Sequence, residues 1–198
     1  MRRPGAEGRD RRQLIAGILL AAGLSSRFGR QKLLEPWHGE SLVRLAARRL
    51  LEAGLEPVLV VVSTEPRFRE ALAGLPLDVL ENPAPELGIS QSIGIGLRAV
   101  PGANEAALIA VADQPYLTAD AISELRRAFS PGRIVVPRYG DQRGNPAIFD
   151  HGFFAELLRL DGDRGGQAVV DAHPEAVVEV NLAAAMGVDI DRADEWPV

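Results

Sequence analysis

The chain contains no cysteine, which excludes disulfides, thiolate zinc sites, iron–sulfur clusters and a thiol nucleophile. Aromatic residues make up 5% of its 198 positions and the formal net charge is −5. A general nucleic-acid surface, built from clustered cations and stacking rings, is therefore not expected. No apolar run approaches the roughly 20 residues that cross a bilayer, so no membrane partner is expected either. Histidine is sparse: His38, His151 and His173 are scattered without metal-ligand spacing. The Gly-x-Ser-x-Gly elbow of serine hydrolases is missing. Gly94-Ile95-Gly96 lacks the third glycine and the preceding strand of a dinucleotide fingerprint. No repeat, low-complexity stretch or linker marks a second domain. What remains, 46% hydrophobic and 25% charged residues, is an ordinary globular composition.

The apolar segments alternate in length and period. Residues 14–20, 57–63, 77–80 and 106–112 read as buried strands, and residues 41–53, 66–73, 90–99 and 119–129 as helices. Gly54 is a candidate C-cap, Ser90 and Thr118 are candidate N-caps, and Asp120 sits in a first turn near the positive end of its helix. Later, residues 133–137 and 146–149 read as strands around a turn at 140–144, with helices near 153–160 and 167–172. The arginine-rich stretch 44–49 and the acidic C-terminus read as solvated faces. This alternation predicts an α/β fold: a single-domain, doubly wound, mostly parallel sheet. Ligands of such sheets lie outside the strands' carboxyl ends, where the strand order reverses. The loops after the first and fourth strands should thus face one crevice.

The first of these loops is the most informative stretch, Leu20-Ala21-Ala22-Gly23-Leu24-Ser25-Ser26-Arg27-Phe28-Gly29-Arg30-Gln31-Lys32. Gly23 and Gly29 allow tight turns and close backbone approach. Ser25, Ser26 and neighbouring N–H groups can donate hydrogen bonds, and Arg27 and Lys32 add positive charge, a combination suited to a polyphosphate. The spacing differs from G-x-x-x-x-G-K-[ST], so this is not a Walker A loop. Arg11-Arg12 ahead of the apolar segment imitates an export signal. Its removal would take the phosphate loop with it, so residues 1–13 are expected to be a disordered basic tail, residues 14–198 the folded domain, and the protein cytoplasmic.

At the end of the fourth strand stands Asp113, followed by Gln114-Pro115. A carboxylate there is costly unless it binds something positive, and one carboxylate plus substrate phosphates is a common way to hold Mg²⁺. Asn82-Pro83 precedes Gly88-Ile89-Ser90-Gln91-Ser92, where a helix start bearing two serines suits an anion.

Together these stretches resemble the MobA-like nucleotidyltransferases, whose loop has the form A-A/G-G-x-S-x-R-M-G-x-x-K, with Phe28 here in the methionine position. The Asp113 segment is similar to the family's D-x-P element, and residues 82–92 to its N-P…G-M-S-x-S segment. Arg143-Gly144-Asn145-Pro146 resembles its G-[HN]-P element, Gly162-Asp163-Arg164-Gly165-Gly166 its G-D-x-G-A-R element, and Val188-Asp189-Ile190-Asp191 its D-I-D-T-P-E-D element. In the G-D-x-G-A-R element Gly166-Gln167 replaces Ala-Arg, removing a basic contact that Arg164 could replace. Ala22, with Lys32-Leu33-Leu34 and Pro36-Trp37, resembles the molybdopterin cytidylyltransferase branch.

The resemblance implies a Rossmann-like nucleotide-diphospho-sugar transferase type of fold and a Mg²⁺-dependent nucleotidyl transfer. CTP, less readily GTP, would be the donor and a molybdopterin-type phosphate the acceptor. By the same resemblance, Leu20, Ala21, Ala22, Gly23, Ser25, Ser26, Arg27, Lys32, Asn82, Gly88, Ser90 and Ser92 would bind the nucleotide. Gln114, Gly144, Asn145, Pro146, Asp163, Arg164 and Gly165 would bind the acceptor, and Asp113 and Asp189 the metal. Arg27, Lys32 and Asp113 would carry catalysis. Two alternatives remain at this stage: transfer to another small phosphate acceptor, and a non-catalytic molybdenum cofactor carrier serving a client molybdoenzyme.

Overall fold

The computed structural model describes residues 14–23 and 30–190. The expected tail, Ser25, Ser26 and Arg27, and the segment from Asp191 onward lie outside the described residues. Among the described residues, ten strands and six α-helices follow in chain order: β1 Ile15–Ala21, β2 Pro36–Trp37, β3 Glu40–Ser41, α1 Leu42–Glu52, β4 Val58–Val62, α2 Arg67–Leu72, β5 Asp78–Glu81, α3 Ile89–Ala99, β6 Ala106–Val111, α4 Ala119–Ala128, β7 Ile134–Tyr139, β8 Gln142–Arg143, β9 Ala147–Asp150, α5 Phe154–Leu157, α6 Gln167–Ala172 and β10 Val177–Leu182. None of the described helices is long and apolar enough to cross a membrane.

Strands β1, β4 and β6 are buried almost throughout, as near-continuous apolar runs dictate for the middle of a sheet covered on both faces. Ile15, Leu19 and Ala21 point into one core with α1, α2 and α4. Ala16, Ile18 and Leu20 point into the other with α3, α5 and α6. Each fully buried aliphatic side chain contributes about 1.5–3 kcal/mol relative to its exposed state. The sheet order is β10-β7-β9-β6-β1-β4-β5, with β8 paired to β7. From β1 the chain builds outward through β4 and β5, then returns to place β6 on β1's other side, all in parallel. The order therefore reverses between β1 and β6, as expected for a doubly wound sheet. Beyond β6 the sheet is mixed: β9 runs antiparallel to both β6 and β7, and β10 is parallel to β7.

Most local expectations hold within a residue or two. After α1, Gly54 N–H reaches Leu51 O (2.8 Å) and Leu55 N–H reaches Leu50 O (3.3 Å), the paired bonds of a Schellman ending. Thr118 caps α4 by accepting from Ala121 N–H at 3.2 Å. The cap at Ser90 does not form: Gly88 is the N-cap of α3 and Ser90 lies inside the helix. The helix expected near 153–160 is a 3-10 turn, His151–Phe153, followed by the single α turn of α5. Strand β10 was not anticipated. Its Val-Val-Glu-Val-Asn-Leu sequence is half exposed along the sheet edge, and the charged Glu179 suits an edge strand.

Candidate active site

The loops after β1 and β6 meet where the strand order reverses, and Ala112 N–H to Leu20 O (3.2 Å) carries the β1–β6 pairing into them. Ala22 is 3% exposed, continuing the packing of β1, while Gly23 is exposed. Across the loop, Gln31 Nε2 donates to Gly23 O at 3.2 Å, so the two feet are tied. Lys32 opens the 3-10 turn Lys32–Leu34, whose Leu33 is buried and anchors the lysine.

The Lys32 ammonium bonds to Asp113 Oδ2 at 2.9 Å and to the Ile190 carbonyl at 2.7 Å. Ile190 N–H in turn donates to the Asp113 carbonyl at 3.0 Å. Three segments, from the first loop, the end of β6 and the C-terminal stretch, are thus tied together through the Lys32 ammonium and the side chain and backbone carbonyl of Asp113. Ile190 is buried, whereas Asp189 beside it is exposed. Asp113 Oδ1 is buried and has no hydrogen-bond partner. A buried, orphaned anionic oxygen is costly, and a hard cation is the ligand that offsets it. No group of three His, Asp or Glu side chains gathers for a metal among the described residues. The donor set therefore fits a cation held by one or two carboxylates and completed by phosphate oxygens.

Beside this centre lies a cleft of about 230 Å³ with an apolar floor that includes Leu20, Ile93, Val111 and Phe149. Its rim brings Gly144 and Asn145, from the turn between β8 and β9, to Gly165 and Gly166 ahead of α6. Gly144, Asn145 and Gly165, expected to serve the acceptor, are thus assembled from two distant stretches, with Leu20 from the nucleotide set. Pro146, buried, follows a cis peptide from Asn145. Asp163 and Arg164 are exposed and do not line this cleft. Gln167 reaches the rim but donates to Asp171 at 2.6 Å. A Cβ at Gly166 would come within 2.8 Å of the Phe149 ring, which explains why alanine is absent there.

Other expected residues are differently employed. Asn82 is buried, receives Ala84 N–H at 3.0 Å and donates to Ser92 Oγ at 3.0 Å, so both build the turn from β5 into α3. Gly88 has φ +99, and a Cβ there would lie 2.2 Å from the Gly162 backbone. Ser90 N–H donates to Gly162 O at 3.2 Å. The start of α3, expected to be open to an anion, is instead covered by the 162–163 loop. Gln114 is 5% exposed and lines a small cavity under α1 with Arg49 and Leu50 rather than the cleft rimmed by Gly144 and Gly165.

The arginines of α1 are not merely solvated. Arg44 donates to the carbonyls of Ala71 and Ala73 (both 2.9 Å), satisfying the end of α2. Arg48 pairs with Glu40 and Glu52. Arg49 donates to Pro115 O at 2.5 Å, steadying the Asp113 loop, and burial lowers its pKa. Its place among Leu42, Ala46, Leu50 and Ala53 on the apolar stripe is the signal that could have revealed it. Tyr139 was also missed. Burial, then the negative charge of Asp189, raises its phenol pKa, which places that carboxylate in its neighbourhood.

The sequence matches the MobA-like NTP transferase domain over residues 17–177. It is 30% identical over 192 residues, 91% of this chain and 94% of the relative, to the nicotine blue oxidoreductase of Paenarthrobacter nicotinovorans. It is 32% identical over 169 residues, 80% of each chain, to a Mycobacterium tuberculosis protein named probable molybdenum cofactor guanylyltransferase. The crystal structure of Rv0371c from Mycobacterium tuberculosis is similar with a TM-score of 0.82 and 25% identity, covering 92% of this chain and 95% of that one. A manganese complex of Rv0371c, at 24% identity, is similar with a TM-score of 0.80 over 92% of this chain and 96% of that one.

Proposed function

Because the chain belongs to the MobA-like NTP transferase family, we propose that it transfers a nucleoside monophosphate from CTP to the phosphate of a molybdopterin-type acceptor. The observation that carries this reading is the Lys32–Asp113 pair at the switch point of the sheet, at the ends of the same two strands whose Leu20 and Val111 line the cleft rimmed by Gly144, Asn145 and Gly165. An ionised oxygen of the acceptor phosphate attacks the α-phosphorus. A new P–O bond forms, the bond from the α-phosphorus to the α,β-bridging oxygen breaks, and pyrophosphate leaves with that electron pair. The nucleophile carries no proton to remove, so alignment and charge neutralisation suffice.

Asp113, with Asp189, would hold Mg²⁺, which supplies charge neutralisation and orientation for phosphate oxygens. The relative crystallised with manganese supports a divalent cation here. Lys32 balances Asp113 and reaches phosphate oxygens by giving up that contact. Arg27, with Ser25 and Ser26, would join it on the β- and γ-phosphates. The apolar floor of the cleft suits a flat heterocycle, and Gly144 and Gly165 let it approach closely. Gln167, held by Asp171, leaves the acceptor one cation fewer than the family pattern.

Ala22 favours CTP, whereas the relative named a guanylyltransferase favours GTP. Pyrophosphate release measured with molybdopterin and each of CTP, GTP, ATP and UTP decides between them. CTP turnover lost by 100-fold or more in Asp113→Asn is expected, roughly the scale seen when one group that stabilises transition-state charge is removed. Undiminished turnover in that variant would remove Asp113 from the centre. Nucleotide binding without turnover, together with capture of a molybdoenzyme, would favour a carrier. Turnover with a different phosphate acceptor would reassign the substrate.

A further inference from the structure

Tyr139, at the end of β7, stands where the two halves of the site are joined. Its ring packs on Gly144, where a Cβ would lie 2.9 Å from the ring, and on Gly187, where a Cβ would lie 2.4 Å from it. Its hydroxyl donates to the Asn145 carbonyl at 2.7 Å. On one side Tyr139 pairs with Gln142 of β8, which leads into Arg143, Gly144 and Asn145 at the cleft rim. On the other it pairs with Leu182 of β10, which leads through the 3-10 turn Ala184–Gly187 to Asp189 and Ile190. Ile190 O receives Lys32 and Ile190 N–H holds the Asp113 carbonyl. The same two arms are tied a second time by Glu179 of β10, which pairs with Arg138 at 3.0 Å and Arg143 at 2.7 Å.

We propose that Tyr139 is a positioning residue that sets the distance between the acceptor rim at Gly144–Asn145 and the Asp189–Ile190 segment. The assignment rests on the nucleotidyl-transfer reading and adds to it a residue outside every motif identified in the sequence. Its hydroxyl fixes the rim, and its ring fixes the C-terminal segment through the side-chain-free face of Gly187. Losing the hydroxyl alone should therefore loosen the acceptor side and spare the nucleotide side. Losing the ring should disturb both.

The test measures KM for molybdopterin, kcat, and the equilibrium affinity for CTP with Mg²⁺ in the wild type, Tyr139→Phe and Tyr139→Leu, with melting curves as the folding control. In Tyr139→Phe the acceptor KM is expected to rise about five- to tenfold, the scale of one lost hydrogen bond, while nucleotide affinity stays within about twofold. In Tyr139→Leu nucleotide affinity should fall as well. Gly187→Ala supplies a second route, since its methyl group pushes on the ring from the C-terminal side while the hydroxyl is kept as a chemical group. Like Tyr139→Leu, it should weaken nucleotide affinity as well as raise the acceptor KM. An unchanged acceptor KM in Tyr139→Phe, or equal losses for acceptor and nucleotide, overturns the assignment. No turnover in the wild type with any nucleotide overturns the parent reading, and this assignment with it.

Discussion

Replacing Lys32 by methionine keeps the aliphatic stem and deletes the ammonium, and the consequence can be worked from the geometry. The side chains of Lys32 and Asp113 are only 12% and 23% exposed, and among the described residues the ammonium bonds to Asp113 Oδ2 at 2.9 Å and to Ile190 O at 2.7 Å. A hydrogen bond to a charged group is worth about 1.5–3 kcal/mol. The variant leaves Asp113 with one oxygen already orphaned and the other newly so. We expect a loss of about 2 kcal/mol, a fall in Tm of roughly 4–8 °C for a chain of this size. Divalent cations without nucleotide should then stabilise the variant more than the wild type, because the competing ammonium is gone. Saturation at about 100 times the Kd would return roughly 2.7 kcal/mol. Thermal melts of both proteins against Mg²⁺ or Mn²⁺, with and without CTP, read this directly. In the wild type the metal response should depend on CTP, whose phosphates draw the lysine away. In the variant that dependence should shrink. A variant that melts with the wild type, or that gains no more from metal, would refute the idea that Lys32 and a metal compete for Asp113.

Gly88→Ala forces a Cβ onto the Gly162 backbone at a φ of +99, so a loss of roughly 1–3 kcal/mol is expected. Urea unfolding measures it, and wild-type stability would show that the 162–163 loop yields cheaply. His173 titrates above its ordinary value of 6.5, chiefly through its hydrogen bond to Glu156. A raised folded-state pKa stabilises the fold below the unfolded value, and that contribution is lost as pH rises through the folded one. His173→Gln should flatten the Tm-versus-pH curve in that window, and an NMR midpoint at or below 6.5 would contradict the pairing.

The middle of the sheet was legible because its strands are buried on both faces, and Val58–Val62 admits few other readings. The sequence singles out Asp113 because a charge at the end of an apolar run needs a reason, and Lys32 because it adds charge to a glycine-bearing loop; the fold brings the two side chains together. The edge was not: β10 alternates weakly, and its Glu179 serves two arginines that only the fold brings near. Ser90 looked like a cap because serine favours that position, yet the close approach of Gly162 requires a glycine at the cap itself. The direction of Gln114 depends on which way the loop leaves β6, and no pattern of residue types records that. Tyr139 was invisible because its role exists only between two glycines from different arms of the site.

The bond from Lys32 to Ile190 spans 158 positions of sequence, and that separation has a consequence for how the protein matures. A contact between such distant segments follows the local and mid-range pairings, since its loop-closure cost is met last. A refolding chain that has joined β4, β1 and β6 already presents Asp113, but its lysine is not yet held against Ile190. Competence to bind ligand should therefore lag behind the recovery of secondary structure. Stopped-flow refolding followed in parallel by far-ultraviolet circular dichroism and by capture of a fluorescent nucleotide would resolve that lag as two separate phases.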